Sequence, residues 1–300
     1  MQKALGILGG LVLAALVVVP LVLHFGQRSH DRLPRDAMIP GAEGKPPEAI
    51  PPGAAYATAA AEIIEHELQA TTGWRPNDIF LWGPGLWADN NSNRQLGILQ
   101  ALRETIRVFK DHLTKVSSDV YDQNLVAADN DLRNDPRKWA FPSAESRYES
   151  AARGLRNYAA GLFDVPQTSR PINTRNVELI RLIQSWTDLL GDAHAELYKS
   201  QIDWFAIDDA FYRAQGYCHV IAHMIPAVEQ EYHRELDSRP VLKTLFGEAE
   251  DPLERCARLK PLVVFNGGDT GFIANHRRNM DVYVNEGRQK LYSIREELEK

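Results

Sequence analysis

Residues 179–225, LIRLIQSWTDLLGDAHAELYKSQIDWFAIDDAFYRAQGYCHVIAHMI, decide the fold class. Leu179, Ile183, Trp186, Leu190, Ala193, Leu197, Ser200, Trp204, Ile207, Phe211, Ala214, Cys218, Ile221 and Ile225 alternate spacings of four and three without a slip, and only Ser200 is polar. A period of 3.5 belongs to helices packed along a bundle seam, not to strands. The run is long for one helix, and QIDWFAIDD supplies caps and aromatic bulk, so a break is expected around Ser200 to Asp208. The core is therefore all-α.

Working outward, AAYATAAAEIIEHELQA reads as a first body helix and QLGILQALRETIRVFKDHL as a second, with Asn91 or Asn93 as its cap. In the next helix Ser143 is the N-cap and Glu145 sits in the first turn, where the helix dipole favours an acid. Pro226 should interrupt the seam helix, and Asp251-Pro252 should open a short helix of its own. LVVFNGGDTGF is the one β-like or turn-rich stretch, and a last helix runs from about Asn275 to Glu299.

Two segments precede this body. Residues 4–25, ALGILGGLVLAALVVVPLVLHF, hold His24 as their only polar side chain. At ~1.5 Å per residue such a helix spans a ~30 Å hydrocarbon core. No small-x-small cleavage site follows, so a retained single-pass transmembrane helix is expected. Residues 26–53 are rich in proline and glycine and read as an extended linker reaching up to ~85 Å in polyproline form. The folded body is then 54–300.

Charge excludes one class of function. The chain has 34 basic and 40 acidic residues. Setting aside Lys3, Arg28, Arg32, Arg35 and Asp31 leaves 30 against 39, about −9 on the body. Nucleic-acid binding draws on cations that neutralise phosphates, so no nucleic-acid partner is expected. The cations flanking the apolar span favour a cytoplasmic C-terminus by the positive-inside rule, although large domains are translocated largely regardless of charge. Cys218 and Cys256 allow one bridge in an oxidising compartment or two thiols in a reducing one.

No GxSxG, Walker, GxGxxG or CxxC signature is present, and HELQA lacks the second histidine of a zincin. Three weaker constellations remain. His219 and His223, four apart on a helix, can share a divalent metal such as zinc, with Asp208 further up the same stripe and Glu229 or His233 as a third ligand if the chain turns back after Pro226. That would make a metal-dependent hydrolase, but most helical histidine pairs are structural, and no cofactor is expected. Gly267, Gly268 and Gly271 with Arg277 precede a helix and can bind an anion, although Asp269 opposes it. In GWRPNDIFLWGPGLWADN (73–90), Trp74, Trp82 and Trp87 either clasp the helix ends or form an aromatic shelf, Trp82 and Trp87 facing a cell-wall glycan. The structural lid is the expectation.

GWRPNDIF, LWADNNSNRQLGILQALRETIRV, RKWAFPSAESRY, DDAFYRAQG and VFNGGDTGFIANHRRNM, in this order behind one N-terminal span, resemble a bacterial domain-of-unknown-function family of single-span, membrane-anchored envelope proteins. The resemblance implies an inner-membrane anchor and a periplasmic body, and supplies no catalytic residue. Together these readings give a non-catalytic scaffold or partner-binding module, held to the lipid bilayer through residues 4–25 and engaging an envelope protein or a second copy of itself.

Overall fold

In the computed structural model the described residues are 2–28, 39, 42, 45–70, 72–78, 89–114, 121–199, 204–261, 263–267 and 274–300. They form ten α-helices: α1 (Gln2–Arg28), α2 (Ala54–Gln69), α3 (Asn90–Val108), α4 (Gln123–Leu132), α5 (Ala144–Gly161), α6 (Asn176–Tyr198), α7 (Trp204–Glu231), α8 (His233–Ser238), α9 (Pro240–Arg258) and α10 (His276–Leu298). A π-helical turn, Phe109–Leu113, extends α3. Among the described residues there is no strand, only an isolated bridge between Asn266 and Asn275.

The seam behaves as its period requires. Leu179, Ile183, Trp186, Leu190, Ala193 and Leu197 on α6, and Ile207, Phe211, Ala214, Cys218, Ile221 and Ile225 on α7, are all buried. α6 ends at Tyr198 and α7 begins at Trp204, so the break falls where the caps and aromatics placed it; Ser200 itself lies outside the described residues. α7 is the central helix, packed by α2, α3, α6 and α9, while α10 covers α6 and α9 and α5 covers α2 and α4. Trp186 Nε1 donates to Thr105 Oγ1 at 3.0 Å, which ties α6 to α3 through the core.

The contact between α3 and α7 is backbone against backbone. A Cβ on Gly97 would collide with the Arg213 carbonyl, and one on Gly216 would lie 2.7 Å from the Ile98 nitrogen. Glycine at both positions lets the axes approach closely enough for side chains one turn away to interlock.

Several expectations are corrected. Pro226 does not interrupt α7, which continues to Glu231, and Pro252 lies inside α9. A helical proline gives up one hydrogen bond; here Ile225, Val228 and Leu253 are buried beside the two prolines, and their packing holds both helices together. α3 begins at Asn90 behind Asp89, so Asn91 and Asn93 lie within its first turn rather than capping it. Ser143 does cap α5, accepting from the Ser146 amide at 3.2 Å.

The described part of the linker is not extended away from the body. Ile39 is buried in the main core, Lys45 Nζ stands 4.5 Å over the Phe163 ring, and the Ile172 amide donates to the Pro52 carbonyl at 3.0 Å. Gly53, with φ 105, then turns the chain into α2.

α1 is helical over its whole length, with Ile7, Leu8, Leu11, Leu13 and Val22 exposed. Among the described residues no helix is long and apolar enough to cross a membrane.

Candidate functional site

The densest chemistry lies inside the α2–α3–α7 crossing. Glu67 on α2 and Arg94 on α3 are 2% and 3% exposed, and they pair in a bidentate fork with both N–O distances 3.0 Å. Gln95, fully buried, donates to Glu67 Oε2 at 3.2 Å and to the Gly73 carbonyl at 3.1 Å, and its oxygen accepts from the Arg75 amide at 2.8 Å. Burial pushes the Glu67 carboxyl up, but the Arg94 guanidinium and the His66 and Arg94 hydrogen bonds override it and hold the group down at about 2.

His219 and His223 face the same interior. Their ring centroids are 4.3 Å apart. His223 Nδ1 lies 2.7 Å from the His219 carbonyl, which only accepts, so that nitrogen carries the proton. His219 is 1% exposed, and its Nε2 has no hydrogen-bond partner among the described residues. Burial first, then His223, Arg94 and His66, depress its pKa far below the ordinary histidine value, so it is neutral at physiological pH. Burial also lowers His223.

The structure does not gather the metal set read from the sequence. Asp208 is eleven residues before His219 on the same helix, ~16 Å along its axis. Because α7 continues past Pro226, the chain does not turn back there, and Glu229 stays on α7 beyond the pair, with His233 just after its end. His233 Nδ1 lies 2.8 Å from the Gln230 carbonyl. Among the described residues no three His, Cys, Asp or Glu side chains are arranged to hold a metal.

Asp208 belongs to an acidic group at the other end of α7. Its pKa rises to about 7 through burial, with Asp89 and Asp209 adding repulsion. Asn93 Nδ2 donates to Asp209 Oδ1 at 2.6 Å, while Asp208 Oδ1 is buried without a partner among the described residues. A second displaced carboxylate, Glu231, sits at the N-terminus of α2 and accepts from the amides of Gly53 at 2.7 Å and Tyr56 at 3.0 Å. It caps a helix 175 residues away in sequence.

The Arg277 guanidinium donates to the Leu197 and Lys199 carbonyls and so caps the C-terminus of α6. Gly267 closes the loop by donating to the Ala274 carbonyl at 3.2 Å; Gly268 and Gly271 lie outside the described residues. Trp74 is buried, donates from Nε1 to the Pro136 carbonyl at 2.9 Å, and meets Tyr148 edge-on at 4.9 Å. It is an internal clasp. Trp82 and Trp87 lie outside the described residues. Cys218 and Cys256 are free, buried and in side-chain contact, and burial with the neighbouring thiol raises the Cys256 pKa.

Sequence reasoning missed Glu67, Arg94 and Gln95. Their signal was helical register: Glu67 falls on the stripe of Ala60, Ile63 and Ile64, and Arg94 on that of Ile98, Ala101 and Thr105, so each charge stands where a core residue belongs.

With this geometry in place, the sequence can be set against known families. Residues 1–201 and 190–300 match the family described as an uncharacterized protein conserved in bacteria, DUF2333. The chain belongs to that family. No curated protein and no solved structure matches it. The family description gives a bacterial setting and carries no activity that could be set beside the buried histidines.

Proposed function

We propose that the chain is a single-pass, inner-membrane envelope protein whose helical body is a non-catalytic scaffold or partner-binding module facing the periplasm. The observation that carries this reading is α1: a 27-residue helix ahead of the body, with Ile7, Leu8, Leu11, Val12, Leu13 and Val22 among its exposed side chains. Apolar side chains on an exposed helix are stable against acyl chains and unfavourable in water. Residues 4–25 supply the 22-residue apolar stretch a bilayer span needs. The body adds support of a different kind. Glu67, Arg94, Glu231 and Arg277 all complete helix–helix or helix-cap contacts, which is how ionisable groups are used in a rigid support.

The test is a dual periplasmic/cytoplasmic reporter fused after Lys300, with metal analysis of the purified full chain. A periplasmic signal and no bound zinc are expected. A cytoplasmic signal overturns the location. Stoichiometric zinc that disappears in His219→Ala overturns the scaffold in favour of metal chemistry.

A further inference from the structure

The turn Arg137-Lys138-Trp139-Ala140-Phe141-Pro142 combines features that elsewhere in the body occur apart. Trp139 is 65% exposed and Phe141 94% exposed, and Arg137 and Lys138 beside them are exposed as well. No other described turn of the body presents two aromatic rings this close together. Phe141 also holds φ at 52, a left-handed conformation that L-residues rarely adopt. An exposed ring on a disfavoured backbone is a feature to be explained by function, not by packing.

The base under this tip is fixed. Arg103 of α3 donates to the Leu132 and Asn134 carbonyls at 2.6 and 2.7 Å, and Tyr148 of α5 donates to Asn134 at 3.0 Å. The Lys138 carbonyl accepts from the Ala144 amide at 2.7 Å and from Asn77 Nδ2 at 3.3 Å. The rings therefore project from a rigid mount instead of collapsing onto the body.

We propose that this tip is a second membrane contact, a wedge that inserts Trp139 and Phe141 between the headgroups of an anionic phospholipid bilayer while Arg137 and Lys138 meet the lipid phosphates. The inference rests on the anchor reading of α1. Aromatic rings concentrate at the headgroup level of bilayers, and basic side chains are drawn to anionic leaflets. Asp135 accepts from the Arg137 amide in the same turn, so two cations stand against one acid, and on a body of about −9 the tip keeps the right sign for that surface. Geometry supplies the rest. Ile39 is docked on the body, so the tether from Arg28 to Ile39 spans no more than ~40 Å. The tip stands at the N-terminal end of α5, and the linker docks near Phe163 beyond its other end, ~27 Å away along the helix. Anchor and wedge together would lay α5 along the membrane. Two rings and two cations bind weakly alone, but tethering raises their effective concentration towards the millimolar range.

The experiment uses the full chain reconstituted in vesicles of phosphatidylethanolamine and phosphatidylglycerol. An environment-sensitive fluorophore is placed on Ala140→Cys, on Val12→Cys in α1, and on Val282→Cys, an exposed position on α10, which packs on α6 and α9 and not on α5. Cys218 and Cys256 are buried and stay unlabelled in the folded chain. Lipids carrying a nitroxide in the acyl chain should quench the labels at 12 and 140 and leave 282 bright. Adding Trp139→Ser and Phe141→Ser should abolish quenching at 140 with unchanged circular dichroism. Quenching at 12 but not at 140 overturns the wedge and leaves the anchor standing. Quenching at 140 but not at 12 overturns the anchor and keeps the wedge, and loss of both overturns both. A label at 140 that lipid nitroxide leaves bright and aqueous iodide cannot reach is covered by protein, either residues 79–88 or a second copy, and also overturns the proposal.

Discussion

Replacing Glu67 with Gln tests the interior of the crossing directly. The substitution keeps the shape and removes the charge, leaving the Arg94 guanidinium 3% exposed with no anion in its fork. Breaking a buried pair from one side is destabilising by ~3–5 kcal/mol. Proton linkage gives the same scale by another route. The Glu67 carboxyl is held at about 2 against 4.5, a difference worth a few kcal/mol by proton linkage. Against a total stability of ~5–15 kcal/mol, this is a large fraction. The sign of the pH dependence is fixed by the direction of the shift. A folded pKa below the unfolded one contributes stability that is fully present above about pH 4.5 and is lost as pH falls towards 2. Urea unfolding of the full chain in a mild detergent, followed by tryptophan fluorescence from pH 7 down to 3, should show Glu67→Gln with a lower midpoint at pH 7. Its stability should also fall less steeply with acid than that of the parent. Glu67→Gln with Arg94→Met should recover most of the loss, because no uncompensated charge is then buried. A loss under ~1 kcal/mol at pH 7, or a double variant as unstable as the sum of the singles, would refute a desolvated pair.

Two further outcomes follow from the same packing. Gly216→Ala should lower stability by ~1–3 kcal/mol in the same urea assay despite alanine's higher helix propensity, because its Cβ meets the α3 backbone; an unchanged midpoint would mean the axes are free to separate. Asp208→Asn should raise the thermal midpoint at pH 8, by at most about 4 kcal/mol in stability, since a carboxyl raised to about 7 lowers stability as pH climbs from about 4 to 7. At pH 3, where the parent carboxyl is largely protonated in both states, the two proteins should melt together, and a difference as large as that at pH 8 would remove Asp208 as the cause.

Much of the fold was legible because it is written in local periodicity. The α6–α7 seam, the break before Trp204, the Ser143 cap and the Asn275 start of α10 all follow from spacing and cap chemistry. Pro226 and Pro252 were misread because a proline's local preference is outweighed when buried neighbours hold both sides of the helix. The docked linker was misread for a related reason: proline content says that Ile39 and Pro52 cannot form helix, not that they find no partner on the body. The site was less legible still. Glu67 and Arg94 are 27 residues apart, and Glu231 meets Tyr56 across 175. Nothing local distinguishes a carboxylate that caps a distant helix from one that faces water. The histidine pair had the opposite defect. Its i,i+4 spacing is a true local signal, but the third ligand depended on a chain reversal at Pro226 that does not occur.

Why the crossing contains an ion pair at all is answered by its glycines. A buried pair is seldom more stable than apolar residues of the same volume. However, Gly97 and Gly216 set only the close approach of α3 to α7, and nothing at that contact fixes where α2 sits against α3. The bidentate fork between Glu67 and Arg94, with Gln95 tied to Gly73 and Arg75, supplies that direction. It fixes α2 and the 73–78 segment against α3, and through Trp74 and Asn77 it reaches the mount of the 137–142 tip. The double variant separates stability from this alignment: its urea midpoint should return towards the parent while its near-ultraviolet circular dichroism weakens. A near-ultraviolet spectrum identical to the parent's would assign the register to the glycine contact alone.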